Sequence, residues 1–263
     1  MPDPGHEPAE GELRTNYFGE RIALTYDADS SDRFGPELIA QTVDFLAGLA
    51  GGGAALEFGI GTGRIALPLS ARGTSVHGID LSPEMLAQLR AKPGAAAVGV
   101  TLGDFVSTVV DGAFRLVYLV YNVIENLTDQ DDQVACFVNA ARHLEPGGCV
   151  VVEVEVPQLR RLPPGESVRA FALDQFHLGF DELEVATQRG VSHHFWTADG
   201  RTGTFAVPFR YVWPAELDLM ARLAGLRLRE RWADWSRHPF TAESMAHVSV
   251  WEKPDTQLRE RPT

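Results

Sequence analysis

The sequence has 263 residues, 44% of them hydrophobic, which suits one large domain or one domain with an elaborated insert around a substantial core. Its formal net charge of −13 argues against a nucleic-acid or anionic-membrane surface, because phosphate binding rests on clustered Lys and Arg. The nearest approaches to a basic patch, Arg160-Arg161 and the arginines within 222–231, read as solvated faces.

Residues 1–14 are acidic and rich in Pro and Gly; they are expected to form a disordered tail, as are residues 254–263. The first segment has no apolar signal-peptide core, and no later run of about 18 apolar residues offers a membrane span. Cys136 and Cys149 have neither disulfide nor metal-ligand spacing, so a cytoplasmic protein without a metal is expected. Residues 41–49 read as a helix stopped by Gly51-Gly52-Gly53, and 54–58 as a short apolar strand. A glycine-rich turn follows, then a helix over 64–72 in which Pro68 predicts a bend or an early end.

Residues 75–79 form the next expected strand, and Ser82-Pro83-Glu84 a helix start with Ser82 as cap. Strands at 98–102 and 116–120, a helix over 129–144 and a strong strand at 149–156 complete an alternation that signals a parallel sheet covered by helices. The helical period then disappears. Residues 157–213 show β-type runs at 168–173, 182–187, 191–197 and 204–212, with Ala198-Asp199-Gly200-Arg201 as a hairpin turn, and read as an antiparallel insert. A helix over 214–224, capped by Gly225, and strands at 226–232 and 247–252 return to the first framework, so the units are 15–156, 157–213 and 214–253.

The chemistry concentrates in Leu56-Glu57-Phe58-Gly59-Ile60-Gly61-Thr62-Gly63-Arg64. Gly59, Gly61 and Gly63 let the backbone turn tightly and approach a ligand, and the following helix points its free amides the same way. Gly61-x-Gly63-x-x-Ala66 also fits the looser dinucleotide fingerprint, with Asp80 placed for a ribose hydroxyl. Glu57 at the strand end weighs against that rival: a pyrophosphate gains nothing from a carboxylate, whereas a ligand bearing an ammonium and a sulfonium does.

This run resembles motif I of class I S-adenosylmethionine-dependent methyltransferases, and further stations follow in order. Gly78-Ile79-Asp80-Leu81-Ser82-Pro83-Glu84-Met85 resembles the second motif, Gly103-Asp104-Phe105 the next, and His143-Leu144-Glu145-Pro146-Gly147-Gly148 the turn before the fifth strand. The resemblance implies a Rossmann-like, doubly wound, mostly parallel seven-stranded α/β sheet with an antiparallel β insert after the fifth strand. It implies S-adenosyl-L-methionine as cofactor, S-adenosyl-L-homocysteine as product and a small-molecule acceptor. Asp80 would take the ribose hydroxyls, Leu81 and Met85 the adenine, Asp104 the adenine amino group, and Phe105 the ring face. Tyr121 and Asn122, after the fourth strand, would lie near the methionine part. The 21–27 segment resembles one that folds over the cofactor, making Tyr26 and Tyr17 lid residues; the plain alternative packs Ile22, Leu24 and Tyr26 on the core. The insert resembles those of sugar N-methyltransferases of antibiotic pathways and of glycine N-methyltransferases, where it covers the active site or forms a dimer interface, so a homodimer through it is expected.

Methyl transfer is an in-line displacement, for which an amine needs no strong base and a hydroxyl needs one. Tyr121, Glu153 and His177 are the catalytic candidates. Glu153 and Glu155 share one face of the fifth strand, and Glu153 resembles an acidic position of the sugar N-methyltransferases that holds an amine. Of the adjacent His193 and His194, one at most faces a pocket, and His143 reads as structural. The alternatives kept open are an O-methyltransferase, a non-catalytic cofactor-binding regulator and an NAD-dependent oxidoreductase. A nucleic-acid methyltransferase is disfavoured, because Tyr121-Asn122-Val123-Ile124 stands where base-amine enzymes carry Asn/Asp-Pro-Pro-aromatic.

Overall fold

Apolar runs and amphipathic ones alternate along the chain, and the computed structural model turns them into strands and helices in the same order. It describes residues 15–29, 35–198 and 201–255; the tail expected at 1–14, residues 256–263 of the tail expected at 254–263, and Asp199-Gly200 of the expected hairpin turn lie outside the described residues. The first half comprises α1 (Glu20–Asp29), α2 (Pro36–Ala50), β1 (Ala55–Phe58), α3 (Ala66–Ala71), β2 (Val76–Asp80), α4 (Pro83–Arg90), β3 (Val98–Leu102), β4 (Phe114–Leu119), α5 (Gln130–His143) and β5 (Leu144–Glu155). The second comprises β6 (Val168–Leu173), β7 (His177–Glu184), β8 (Arg189–Ala198), β9 (Arg201–Arg210), α6 (Pro214–Leu223), β10 (Arg227–Trp232) and β11 (Ala246–Glu252).

Seven strands pair in the order β10-β11-β5-β4-β1-β2-β3. β1 to β5 run parallel, and β11 is antiparallel to both β5 and β10. Strand order therefore reverses between β1 and β4, and in open sheets of this kind ligands bind outside the strand ends at such a reversal. Alternation sends Leu56 and Phe58 of β1 to a core beneath α5 and α6, while Ala55 joins Phe45, Leu46 and Leu69 on the opposite face. No helix among the described residues is long and apolar enough to cross a membrane.

The second sheet, β6-β7-β8-β9, is antiparallel throughout. Its last strand ends in Arg210, 4% exposed. The guanidinium donates to Glu216 at 2.7 Å and to Gln133 at 2.5 Å, which ties the sheet to α6 and α5. The face turned from the main sheet leaves Val168, Leu173 and Leu178 exposed.

Several boundaries differ from expectation for local reasons. α2 begins at Pro36, five residues before the expected start, because proline suits a first helical turn. Pro68 is accommodated in the first turn of the short α3, where its missing N–H has no helical partner to lose. β7 lies at His177–Glu184 and not at 182–187: the Glu184 carboxylate accepts from Ala186 and Thr187 amides, and Gln188 takes φ +59°, so the chain turns there. Ser82 caps α4 as expected, accepting from Met85 N at 3.1 Å.

His247 on β11 is buried beside Ser249 and Phe240, and its Nε2 has no hydrogen-bond partner among the described residues. Burial, aided by Arg231, lowers its pKa to about 3. The folded state thus holds this imidazole neutral, while the unfolded chain protonates it below its ordinary value of about 6.5. Stability should fall as pH drops between about 6 and 4, by up to about 1.4 kcal/mol per pH unit from this group. Urea midpoints across that window should show a shallower slope in His247→Gln; an identical slope would contradict the assignment.

Candidate functional site

The turn leaving β1 carries three glycines with left-handed backbone, at φ +72°, +53° and +78° for Gly59, Gly61 and Gly63. A Cβ on Gly59 would stand 2.8 Å from Val123 Cγ1, and one on Gly63 2.9 Å from Leu89 Cγ, so a side chain is excluded at both places by sterics as well as by φ. Met85 lies below Gly61. Asp80, at the end of neighbouring β2, accepts from Gly61 N at 2.7 Å and from Ser82 N at 2.8 Å. Its carboxyl is nonetheless raised, because burial outweighs those bonds. Leu81 follows it, half-buried at the same rim.

Glu57 lies beneath the turn, 5% exposed, accepting from Tyr118 Oη at 3.0 Å. Burial pushes its pKa up to about 8 although the Tyr118 bond and the nearby Arg64 guanidinium oppose the shift. Such a group regains its charge when a cation arrives. Arg64 also sits 5.7 Å from the Tyr121 ring centroid and acts on Tyr26 and Glu153. It is the residue on which this side of the site converges. In the sequence it stands only at the end of the glycine motif.

Asp104 caps the turn after β3, accepting from Val106 N at 2.9 Å. Phe105 departs from expectation. Its ring stacks on Phe58, centroids 5.5 Å apart, within the apolar core, so it is withdrawn from the ring-flanking place assigned to it.

At the end of β4 the chain takes two consecutive left-handed residues, Tyr121 at φ +70° and Asn122 at φ +59°. Neither is glycine, and this costs on the order of 1 kcal/mol or more for each. The neighbours hold the shape: Glu153 Oε2 accepts from Tyr121 N at 2.9 Å, and Asn122 Oδ1 accepts from Glu155 N at 2.8 Å. Glu153's other oxygen accepts from Trp235 Nε1 at 2.8 Å. Glu153 was a candidate to hold an acceptor amine; each of its oxygens accepts one bond from the protein, which gives it a positioning role at this turn.

α1 closes this side. Thr62 Oγ1 donates to Asp27 at 2.6 Å, and Lys92 pairs with Asp27 at 2.5 Å, fastening the helix to the glycine turn. Tyr26 is buried among Tyr121, Arg64, Asp80 and Asp27; burial first, then the Tyr121 phenol, raises its hydroxyl. Phe18 packs edge-on against Tyr26, and its carbonyl accepts from Ser82 Oγ at 2.7 Å. Tyr17 is 39% exposed, and Leu24 is 63% exposed, so the core-packing alternative does not hold for Leu24.

The second sheet supplies the opposite wall. Its inner face carries Arg169 beside Glu155 at 4.0 Å, and Trp196 beneath the Arg21 guanidinium of α1 at 4.2 Å. Between these ends lie His177 and His194, their rings joined by Nε2···Nδ1 at 3.0 Å, with Ser192 Oγ 3.2 Å from His194 Nε2. His193 turns to the outer face against Phe180. His177 therefore belongs to a row of side chains and is not a lone base. His143 is structural, accepting from Val110 N through Nε2 while Nδ1 faces Asn139 O.

Glu153→Ala should strand Tyr121 N and Trp235 Nε1 without an acceptor, costing about 3 kcal/mol in chemical denaturation. A change below about 0.5 kcal/mol would contradict the positioning role.

Residues 55–148, from β1 to the turn within β5, match the methyltransferase-domain family. Among curated proteins, the cypemycin N-terminal methyltransferase of a Streptomyces species is 27% identical over 205 residues, covering 75% of this chain and 82% of that protein. Among solved structures, the CcbJ methyltransferase from Streptomyces caelestis superposes with a TM-score of 0.82 at 35% identity, covering 91% of this chain and 98% of that one. CalS10, an amino pentose methyltransferase from Micromonospora echinaspora with S-adenosylmethionine bound, shares the fold with a TM-score of 0.68 at 20% identity, covering 92% and 100% of the two chains. The glycine turn at a sheet reversal, the acids ending β2 and β3 and these likenesses converge: the chain belongs to the S-adenosylmethionine-dependent methyltransferases.

Proposed function

We propose that the protein methylates the nitrogen of a small amine, such as an amino sugar or another secondary metabolite, with S-adenosylmethionine as donor. The donor fits the residues present. Gly59, Gly61 and Gly63 leave bare backbone at the strand reversal, and the buried Asp80 carboxylate, bonded so far only to amides, suits two ribose hydroxyls. Leu81 and Met85 would flank the adenine and Asp104 would accept from its amino group. Glu57, Arg64, Tyr26, Tyr121 and Asn122 would surround the methionine end. Bound there, the donor supplies a methyl carbon activated by its sulfonium; the chain aligns the nucleophile and excludes water, with α1 on one side and the second sheet on the other.

The observation that carries the choice of nitrogen is the engagement of Glu153. The carboxylate bonded to the Tyr121 amide is already committed to main chain and Trp235, whereas a hydroxyl acceptor needs a base held ready for its proton. The cypemycin relative acts on an N-terminus and CalS10 on an amino pentose, which supports the same reading. A hydroxyl acceptor is the second reading, favoured by the His177–His194–Ser192 row, which offers imidazole nitrogen on the inner face.

Calorimetric titration with S-adenosylhomocysteine beside NADH tests the donor site. Micromolar binding of the first, about −8 kcal/mol, with none of the second is expected. Asp80→Ala should weaken it by about 2 kcal/mol through loss of charge-assisted hydrogen bonds. Unchanged affinity in that variant would mean the site is misplaced, and methylation of alcohols but not amines in an acceptor screen would overturn the choice of nitrogen.

A further inference from the structure

We propose that His177 takes the acceptor's proton, and that a hydrogen-bonded row through His194 and Ser192 to Asp181 keeps its Nδ1 bare for that purpose. The inference rests on the N-methyltransferase reading and adds to it where the proton goes. All four side chains stand on the inner face of the second sheet. His177 and Asp181 lie on β7, Ser192 and His194 on β8, and the strand register sets Asp181 beside Ser192 and Gly179 beside His194. A Cβ on Gly179 would stand 2.2 Å from the Phe171 ring, so that ring lies over the glycine, between His177 and Asp181. Phe171 at 5.1 Å and Phe205 at 4.3 Å flank the His194 ring and fix its plane.

A hydroxyl has one proton to give. Ser192 gives it to Asp181, whose carboxylate Arg169 also meets at 3.4 Å; burial raises that carboxyl, and both partners oppose the rise. Ser192 Oγ is then an acceptor toward His194 Nε2, 3.2 Å away, so His194 carries its proton on Nε2. His194 Nδ1 keeps a lone pair and accepts from His177 Nε2 at 3.0 Å. One direction therefore runs through the whole row, because the bond made by one ring nitrogen fixes the state of the other. It ends at His177 Nδ1, a nitrogen with a lone pair and no hydrogen bond to the described residues.

That end of the row lies where α1 meets the second sheet. His177 is half-buried and is the cross-strand partner of Trp196, over which the Arg21 guanidinium of α1 sits at 4.2 Å. The charged groups around it are Asp174 in the turn before β7, Arg21 on α1, and Asp181 with Arg169 at the far end of the row. Asp174 accepts from the His177 amide at 2.7 Å, close enough for its carboxylate to offset a charge on the ring. An aliphatic amine reaches the site as an ammonium and must lose a proton before it can attack. One N–H bond breaks, the proton passing to His177 Nδ1 and the electron pair staying on nitrogen. That pair forms the new N–C bond as the C–S bond opens with its electrons left on sulfur. The resulting imidazolium already donates through Nε2 to His194, so the row accepts the proton without rearranging.

Long-range ¹H–¹⁵N NMR of the imidazole rings, in protein labelled at histidine and saturated with S-adenosylhomocysteine, reads the row without any acceptor. His177 and His194 should both carry their proton on Nε2, and Ser192→Ala, which removes the link to Asp181, should abolish that single tautomer at His194. His177→Gln keeps a donor toward His194 but has no basic nitrogen. On the amine turned over fastest in the acceptor screen it should lower kcat tenfold or more, with KM and S-adenosylhomocysteine affinity within twofold. Added imidazole should restore part of the rate in His177→Gly, which a merely structural histidine would not allow. A proton on Nδ1 of either ring in the wild type, or a wild-type kcat in His177→Gln, overturns the role of His177. If the His177 variants do not fold, the tautomers of the wild type and of Ser192→Ala decide. Failure of S-adenosylhomocysteine to bind, or turnover of alcohols alone, would instead remove the underlying reading.

Discussion

Glu153 holds a backbone shape that the rest of the site depends on. Tyr121 and Asn122 both adopt left-handed backbone at the end of β4, a conformation that ordinary side chains resist and that persists only where neighbours over-determine it. One Glu153 oxygen accepts from the Tyr121 amide and the other from Trp235, whose ring packs edge-on against Phe45 of α2. Asn122 answers by accepting from the Glu155 amide. Two strands, a helix and the loop before β11 are thereby tied to one carboxylate. The geometry places the Tyr121 ring near Arg64 and turns Val123 against Gly59, so the glycine turn and the β4 turn are shaped by each other.

Around that fixed point the walls differ in kind. The floor is backbone, from the glycine turn and the ends of β1, β2 and β4, and it is rigid because both faces of the sheet are packed. One wall is α1, fastened through Asp27 to Thr62 and Lys92. The opposite wall is the inner face of the second sheet, anchored through Arg210 to Glu216 and Gln133 and met across the pocket by Arg21 over Trp196. Donor chemistry belongs to the floor, whose features are those of the family. The second sheet lies beyond the residues that match the family's domain.

That division also explains what could be read from the sequence. Gly59, Gly61, Gly63, Asp80 and Ser82 act through their own backbone or through near neighbours in the chain, so spacing alone exposes them. The alternation of strands and helices was equally plain, since each element declares itself by a local period. Glu153 was visible as a polar residue in an apolar strand, but its role depends on Trp235, 82 positions away. Phe105 fits the pattern of a ring-flanking residue, and only the placement of Phe58 draws it into the core. Phe18 carries no motif, and its edge-on contact with Tyr26 appears only once the chain before α1 is folded back. Arg169 and Asp181 carry no motif at all, because their pairing exists only once two strands of the second sheet have been brought together.

The central claim is that donor and acceptor meet over the Tyr121–Asn122 turn, between the glycine floor and the inner face of the second sheet. A crystal structure with S-adenosylhomocysteine tests it most directly. The account predicts ribose density on Asp80 and the sulfur beside Tyr121, turned toward the inner face of the second sheet. Density for the ligand elsewhere, or a sulfur turned away from the second sheet, would contradict it.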